Sequence, residues 1–116
     1  MDYKNLDAAQ LKAMVLLRQK IEQEGARTNF MRFVKAVWPE FVKGPHHEKT
    51  SEKFQNFSSE KGCRLIINMP PRHTKSEFAS YLFPAWMMGI NPRLKIIQAT
   101  HTGELAVRFG RKIRNL

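Results

Sequence analysis

Residues 64–76 read RLIINMPPRHTKS, and this stretch decides how the rest of the chain is interpreted. Its first six residues form a brief, largely apolar and β-branched run, which is typical of a buried parallel strand, and the two prolines that follow end such a strand. Beyond the stretch, Phe78, Leu82 and Trp86 recur at helical spacing. The sequence therefore predicts a strand, a loop over residues 70–76 and a helix.

A second strand is predicted after that helix. Asn91 and Pro92 form a turn, and residues 94–100, LKIIQAT, are again apolar and β-branched. Pro84 lies inside the intervening helix and should kink it. A strand, a helix and a strand within about 35 residues make one βαβ unit, which is expected to be right-handed with parallel strands. We therefore predict an α/β fold in which amino-terminal helices precede one βαβ unit of an incomplete parallel sheet.

Three further helices are predicted before the first strand. The first covers residues 8–24, where apolar residues recur at helical spacing. The second is capped by Thr28 and ends near Trp38, because a proline follows. The third starts at Pro45 and ends at Gly62. A last helix, rich in arginine and lysine, is predicted near the end of the sequence.

The composition limits the function classes that the chain can serve. Lys and Arg number 20 against 10 Asp and Glu, a net charge of +10, which favours a polyanionic partner such as nucleic acid or an anionic membrane surface. No apolar run approaches the roughly 20 residues that span a bilayer, and residues 1–10 lack the pattern of a signal peptide. With Cys63 as its only cysteine, the chain can form no internal disulfide, and its histidines lack metal-site spacing. We expect an intracellular protein without a membrane segment or structural metal.

The 70–76 loop carries the chemistry. Lys75 and Ser76 occupy the last two positions of the P-loop pattern GxxxxGK[ST], between a predicted strand and a predicted helix. Backbone N–H groups, a helix N-terminus, a lysine and a hydroxyl for Mg²⁺ are what a polyphosphate needs. Met69 and Thr74 stand where the pattern has its glycines, and a β-branched residue resists the positive φ that glycine tolerates there. The alternative interpretation is a basic loop that caps a helix.

The sequence LIINMPPRHTKSEFASYLFPAWMMGINP, followed by IIQATHTGELAVRFGRKIR, resembles the amino-terminal ATPase region of tailed-bacteriophage large terminase subunits. In that family an apolar strand leads into a PPRHGKSE-like loop, a helix, a GxNP-like turn, a second strand and a helix with ELA and basic residues. Upstream, FVKAVWPEFVKGPHHEKTSEKF looks like the family's lead-in helices. The resemblance implies a P-loop NTPase fold with a helical lead-in, residues 1–62, and the start of the ATPase core, residues 63–116.

The resemblance also implies a function, a viral motor that hydrolyses ATP with Mg²⁺ to drive double-stranded DNA into procapsids. The implied ATP-binding residues are Pro71, Arg72, His73, Thr74, Lys75 and Ser76 in the loop, with His46 and His47 near the adenine. Lys75 would hold the β and γ phosphates and Ser76 the Mg²⁺, while Arg72 would act catalytically on transition-state charge. The alternatives are a solvated loop arginine at position 72, and cap or surface roles for His46 and His47.

Partners and location follow from the same resemblance. The implied partners are double-stranded DNA, the portal protein, the small terminase subunit and the remainder of the large subunit, on the same or another chain. The implied location is the host cytoplasm during virion assembly, and the protein would not be a stable virion component. No membrane partner is implied.

Acidic residues needed for catalysis are missing from the sequence. After Lys75 the only acids are Glu77 and Glu104, each in the opening turn of a predicted helix, whereas an ATPase needs carboxylates for Mg²⁺ and for the attacking water. An acidic nuclease cluster is missing too. We therefore expect a chain that is inactive alone, whether a fragment, part of a split gene or a remnant. The alternatives are a basic DNA-binding module and a remnant of a helicase-like or kinase-like P-loop enzyme. The DNA-binding module would bind phosphates through Arg108, Arg111, Lys112 and Arg114.

Overall fold

The computed structural model describes residues 7–116, and regular structure in this range is helical throughout. The elements are α1 (Ala8–Thr28), α2 (Phe30–Val37), α3 (Pro45–Ser59), α4 (Lys75–Glu77), a π-helical segment (Phe78–Leu82), α5 (Phe83–Ile90) and α6 (Gly103–Arg114). α4, the π segment and α5 follow one another without a break. Most of the stretch considered above for a signal peptide, residues 1–6, lies outside the described residues.

The prediction of an α/β fold with a parallel sheet is wrong. The structure is 65% helical, and residues 7–116 contain no strand. Residues 64–69 and 94–100, the two predicted strands, have no regular secondary structure, because no ladder of backbone hydrogen bonds joins them within the described chain. An apolar and β-branched composition favours a half-buried extended segment, but a strand exists only where a neighbour supplies hydrogen-bond partners.

Both segments nevertheless keep one side against the helices. Leu65 and Ile67 are half-buried against the hydrophobic core, whereas Ile66 between them is 84% exposed. In the 94–100 segment Gln98 is half-buried, while its neighbour Ile97 is 98% exposed. In 64–69, the alternation of covered and bare residues typical of a strand occurs without a sheet.

Pro84 is accommodated by the π segment that immediately precedes α5. A proline has no N–H, so Pro84 cannot donate to the carbonyl four residues earlier, which belongs to Ser80. Gln98 donates to that carbonyl from Nε2 at 2.7 Å. Within the π segment the N–H of Phe83 bonds to the carbonyl of Phe78, five residues back. The distortion predicted at Pro84 thus takes the form of a π segment, and the 94–100 segment satisfies the carbonyl that the proline frees.

The helix boundaries agree with the sequence in part. α3 begins at Pro45 as predicted, while α1 is longer than predicted. The prediction that Thr28 caps the second helix is wrong, because Thr28 ends α1 and its hydroxyl donates back to the Glu24 carbonyl at 3.1 Å. Asn29 is the cap instead, and its Oδ1 accepts from the N–H of Arg32 at 3.0 Å.

One aromatic core unites the helices on both sides of residue 62. Phe30 of α2 is fully buried, and its ring makes edge-to-face contacts with Phe54, Phe78 and Phe83 at centroid distances of 5.6, 5.6 and 5.7 Å. Edge-to-face geometry is a favourable arrangement for aromatic rings. The core thereby fixes α3 beside the helical run that begins at Lys75, which positions the residues described below.

α1 is held to this core by its carboxyl-terminal end. Trp86 donates from Nε1 to the Ala26 carbonyl at 2.9 Å, and the Gln55 amide donates to the Thr28 carbonyl at 2.9 Å. Residues 8–24 are exposed throughout, and the molecule measures 57 × 31 × 30 Å. α1 and the other helices of the described part lack the combination of length and apolar character that a bilayer crossing requires.

Candidate nucleotide-binding loop

The 70–76 loop joins the 64–69 segment to α4 and has an unusual backbone. φ is positive at Arg72 (63°) and at Thr74 (60°), and negative at His73 between them. With ψ at 12°, Thr74 is in the left-handed region, which is strained by about 1–3 kcal/mol for a residue other than glycine. The P-loop pattern has its second glycine at this position. The backbone of Thr74 therefore adopts the conformation that glycine would adopt freely.

The helix that follows has an open N-terminus. Thr74 is the N-cap residue of α4, but its hydroxyl makes no hydrogen bond to the first turn and donates instead to the His73 carbonyl at 2.6 Å. The first backbone N–H to bond back into the helix is that of Phe78, which donates to the Thr74 carbonyl at 2.9 Å. The N–H groups of Lys75 and Ser76 precede it and have no intrahelical acceptor. Free donors at the positive end of a helix can bind an anion.

A surface cavity of about 540 Å³ lies against this loop. Its lining consists of Met69, Pro70, Pro71, Arg72, Thr74, Lys75, Ser76 and Glu77. Arg72, Lys75 and Ser76 are exposed, so two cationic groups and one hydroxyl are accessible to a ligand. Among residues 7–116, His, Cys, Asp and Glu side chains form no group of three that could hold a metal ion. Mg²⁺ at Ser76 would therefore depend on phosphate oxygens and water for its other ligands.

His47 of α3 contacts the loop through a chain of hydrogen bonds. The backbone N–H of Gly44 donates to His47 Nδ1 at 2.8 Å, and His47 Nε2 lies 2.8 Å from Thr74 Oγ1. Because an amide N–H can only donate, Nδ1 is unprotonated and the proton of the neutral ring is on Nε2. Nε2 therefore donates to Thr74, whose hydroxyl proton goes to the His73 carbonyl. We call these hydrogen bonds the His47 network.

The surroundings of His47 keep its ring neutral and fixed. The side chain is 7% exposed, and its ring lies 4.7 Å from that of Phe41 and 5.4 Å from that of Phe78. Burial, and to a smaller extent the charges of His46 and His73, lower the pKa of His47 below its ordinary value. A protonated ring would also direct an Nδ1 proton at the Gly44 N–H. The His47 network therefore requires the neutral imidazole.

The other two predicted histidines, His46 and His73, lie next to the His47 network. The ring of His46 is 3.8 Å from that of His47 and 5.5 Å from that of His73. His73 donates from Nδ1 to the Pro71 carbonyl at 2.9 Å, and His46 Nε2 is buried without a hydrogen-bond partner. The structure therefore brings the two predicted groups together, although they are separated in sequence. Contact of His46 and His47 with an adenine stays a prediction.

Sequence reasoning missed two features of the site. The first is the role of Gly44, for which a signal exists: Gly44 is the N-cap of α3 and His47 is its third residue, the spacing at which a capping-box side chain bonds the N-cap N–H. The second is an ion pair between Glu77 and Lys112, whose Nζ lies 2.9 and 3.0 Å from the two carboxylate oxygens. Lys112 therefore forms an ion pair within the fold, although the sequence of its helix predicts a basic surface.

Comparisons with protein-family models, with curated proteins and with solved structures find no match to this chain. The similarity to large terminase subunits rests on the residues quoted above. Membership of that family therefore stays a prediction.

Proposed function

We propose that the chain is the ATP-binding portion of a large terminase subunit, the motor that packages double-stranded viral DNA into procapsids. The observation that carries the proposal is the open N-terminus of α4. This N-terminus follows Thr74, whose backbone is left-handed, and lies beside the exposed side chains of Lys75 and Ser76. Free N–H groups, the positive end of a helix, a lysine and a hydroxyl border one cavity. This combination supports polyphosphate binding.

The loop residues have distinct roles in this proposal. Lys75 neutralises the β and γ phosphate oxygens, and the Ser76 hydroxyl contributes one oxygen ligand to Mg²⁺. Arg72 lines the cavity, and its guanidinium can stabilise the charge that develops on the γ phosphate. Pro71 and His73 shape the loop, since the Pro71 carbonyl accepts from the His73 ring.

Hydrolysis requires carboxylates that the described residues do not offer at this site. Glu77 is paired with Lys112, and Glu104 lies in the first turn of α6. The water-orienting and metal-binding acids would come from the remainder of the subunit, on the same or another chain. Double-stranded DNA, the portal protein and the small terminase subunit are the further partners, and the setting is the host cytoplasm during assembly. The chain alone binds nucleotide without turning it over.

Calorimetric titration with MgATP tests the proposal. The parent chain should bind, and Lys75→Ala should weaken binding at least tenfold, since a charge-assisted hydrogen bond contributes about 1.5–3 kcal/mol. Lys95→Ala is the matched control, because it removes the same charge from an exposed position outside the cavity. A parent chain that does not bind, or an equal loss in both variants, would refute the site. Steady ATP turnover by the pure chain, abolished by Lys75→Ala, would refute the absence of catalysis.

A second candidate function is a basic DNA-binding module without catalysis. The observation that favours it lies on α6, where Arg108, Arg111 and Arg114 are exposed along one helix. Arginines that neutralise phosphates give binding that is independent of sequence and sensitive to salt. This function is compatible with nucleotide binding at the loop, because the three arginines are not part of the cavity lining.

A further inference from the structure

We propose that His47 is a positioning residue that holds Thr74 in the left-handed conformation and so keeps the N-terminus of α4 open for phosphate. The inference rests on the proposed function and deepens it, because it identifies a residue outside the loop that sets the shape of the phosphate site. His47 acts through Thr74 and does not touch the phosphates.

The first step concerns the energy of Thr74. A left-handed backbone is unfavourable for a residue with a Cβ, and more so for a β-branched one, so the surrounding structure must hold it in place. The hydroxyl of Thr74 has two partners, His47 Nε2 at 2.8 Å and the His73 carbonyl at 2.6 Å. The bond to His47 is the one that links the loop to a different helix.

The second step is a comparison of two threonines in the same chain. Thr102 is the N-cap of α6, has extended backbone angles (φ −132°, ψ 151°), and its hydroxyl accepts from the N–H of Leu105 at 3.3 Å. Thr74 is the N-cap of α4, but its hydroxyl is directed to His47 and its helix receives no side-chain cap. A threonine with extended backbone angles, such as Thr102, can cap its helix. In Thr74 the left-handed backbone and the bond to His47 together direct the hydroxyl away from the first turn, whose donors stay free.

The third step is the rigidity of His47. The residue is 7% exposed, its ring packs near Phe41 and Phe78, and Nδ1 accepts from the N–H of Gly44 at 2.8 Å. The ring therefore cannot turn to follow a moving loop. Since Phe78 also belongs to the buried core, the loop is tied to the core through His47.

A matched pair of substitutions separates the two hydrogen bonds of His47. In His47→Gln the amide nitrogen can replace Nε2 as the donor to Thr74, whereas in His47→Asn the shorter side chain can replace only Nδ1. We expect His47→Asn to weaken the binding of sodium tripolyphosphate to the full chain about fivefold, as loss of one neutral hydrogen bond predicts. His47→Gln should keep affinity within about twofold of the parent. Equal affinity of His47→Asn and the parent would overturn the proposal.

A second background distinguishes positioning from direct contact with the ligand. Glycine at position 74 adopts a positive φ without support, so His47→Asn should change the affinity of a Thr74→Gly chain by less than twofold. If His47→Asn weakens binding about fivefold in that background as well, His47 touches the ligand and the positioning role is wrong. Helix content measured by circular dichroism establishes that each variant is folded.

The unliganded chain separates this inference from the proposed function. The coupling between positions 47 and 74 can be read from thermal midpoints of the parent, the two single variants and the double variant. If these midpoints are coupled but no chain binds tripolyphosphate or MgATP, the proposed function fails while the link between His47 and Thr74 stands. If the midpoints are additive, the positioning role fails whatever the chain binds.

Discussion

Thr74 shows how a residue can occupy a backbone conformation that suits glycine. Its φ of 60° places the Cβ in an unfavourable position, while its hydroxyl bonds to His47 and His73 compensate. Relief of strain in Thr74→Gly would by itself stabilise the folded loop. Loss of the two hydrogen bonds opposes that gain, so glycine at this position is not a simple improvement.

Alanine and glycine at position 74 should therefore differ in stability. Both substitutions remove the hydroxyl, but only Thr74→Ala keeps a Cβ in the left-handed region. We expect Thr74→Ala to have a free energy of unfolding about 1 kcal/mol below that of Thr74→Gly. Urea denaturation followed by circular dichroism measures the difference. Alanine as stable as glycine would mean that position 74 has no positive φ.

His47 should make the stability of the chain depend on pH. Its pKa in the folded chain is lowered by burial first and by His46 and His73 second, whereas the unfolded chain has the ordinary value of about 6.5. When the pH falls through about 6.5, the unfolded state takes up a proton at His47 before the folded state does. The stability contributed by neutral His47 is therefore complete above about pH 6.5. It declines as the pH falls toward the lowered pKa of His47 in the folded chain.

Urea denaturation at pH 7.5 and at pH 5.5 measures this dependence. The loss of stability at the lower pH should be smaller in His47→Phe, which does not titrate and suits the aromatic surroundings of the site. His101→Gln, at an exposed histidine, is the control and should lose as much as the parent. An equal pH dependence of parent and His47→Phe would contradict the prediction.

Cys63 should react slowly with thiol reagents. Its Sγ donates to Glu60 Oε2 at 2.9 Å, and this hydrogen bond, followed by desolvation and the charge of Glu60, raises the pKa of the thiol above its ordinary value. Glu60→Ala removes both the acceptor and its charge, so it should lower that pKa, increase the thiolate fraction at pH 8 and accelerate alkylation by iodoacetamide. Glu52→Ala, at an exposed acid on α3, should leave the rate unchanged. A rate that does not respond to Glu60→Ala would contradict the assigned cause.

At the scale of elements, the helical run from α4 to α5 depends on a partner outside it. Pro84 frees the Ser80 carbonyl, and the side chain of Gln98 satisfies it at 2.7 Å. The 94–100 segment is thus fastened to the helical layer by a polar contact, while Ile97 next to it stays bare. The carbonyl that Pro84 leaves without a backbone donor thus attaches the 94–100 segment to the helices.

Gln98→Ala should lower the free energy of unfolding by about 1 kcal/mol, because a half-buried carbonyl loses its donor. In a Pro84→Ala background residue 84 again has an N–H, so the same change should have a smaller effect. Ile97→Ala serves as the control for the segment and should be nearly neutral. Chemical denaturation of the variants measures these differences. If Gln98→Ala is equally destabilising in the Pro84→Ala background, Gln98 does not replace the hydrogen bond that Pro84 removes.

For the whole molecule the dominant property is its net charge of +10. That charge is not evenly available, because Lys112 is paired with Glu77 and lies 5.2 Å above the ring of Tyr81, whereas Arg111 beside it is exposed. If the chain binds DNA as proposed, the phosphate backbone should therefore meet the arginines of α6 before this lysine. The charges of neighbouring residues on one helix should contribute differently to binding.

Titrations of duplex DNA at several salt concentrations test this difference. Each cation that neutralises a phosphate adds about 0.9 to the slope of log affinity against log salt, so Arg111→Ala should reduce the slope by about that amount. Lys112→Ala should change the slope less and destabilise the fold more, because it leaves Glu77 unpaired. Two unrelated duplexes should bind equally. A clear preference for one duplex, or a larger slope change in Lys112→Ala, would contradict this picture.

Features set by neighbouring residues could be predicted from the sequence. The start of α3 at Pro45 depends on the proline itself, whose ring fixes φ near the helical value. The position of Lys75 and Ser76 at the beginning of a helix could likewise be predicted from nearby residues. Local hydrogen bonds and backbone restrictions act in many tertiary settings, so the sequence indicates most of them. Thr28 is an exception, because it ends α1 and does not cap α2.

Features that depend on distant residues were decided by the tertiary structure. The 64–69 and 94–100 segments have strand-like composition, but no hydrogen-bond ladder joins them, so the predicted sheet does not form in the described chain. His47 and Thr74 are 27 positions apart, and the packing of α3 against the helical run brings them to 2.8 Å. Composition states what a segment can do. Its actual partners depend on where the rest of the chain lies, and so do the presence of a sheet and the contact between His47 and Thr74.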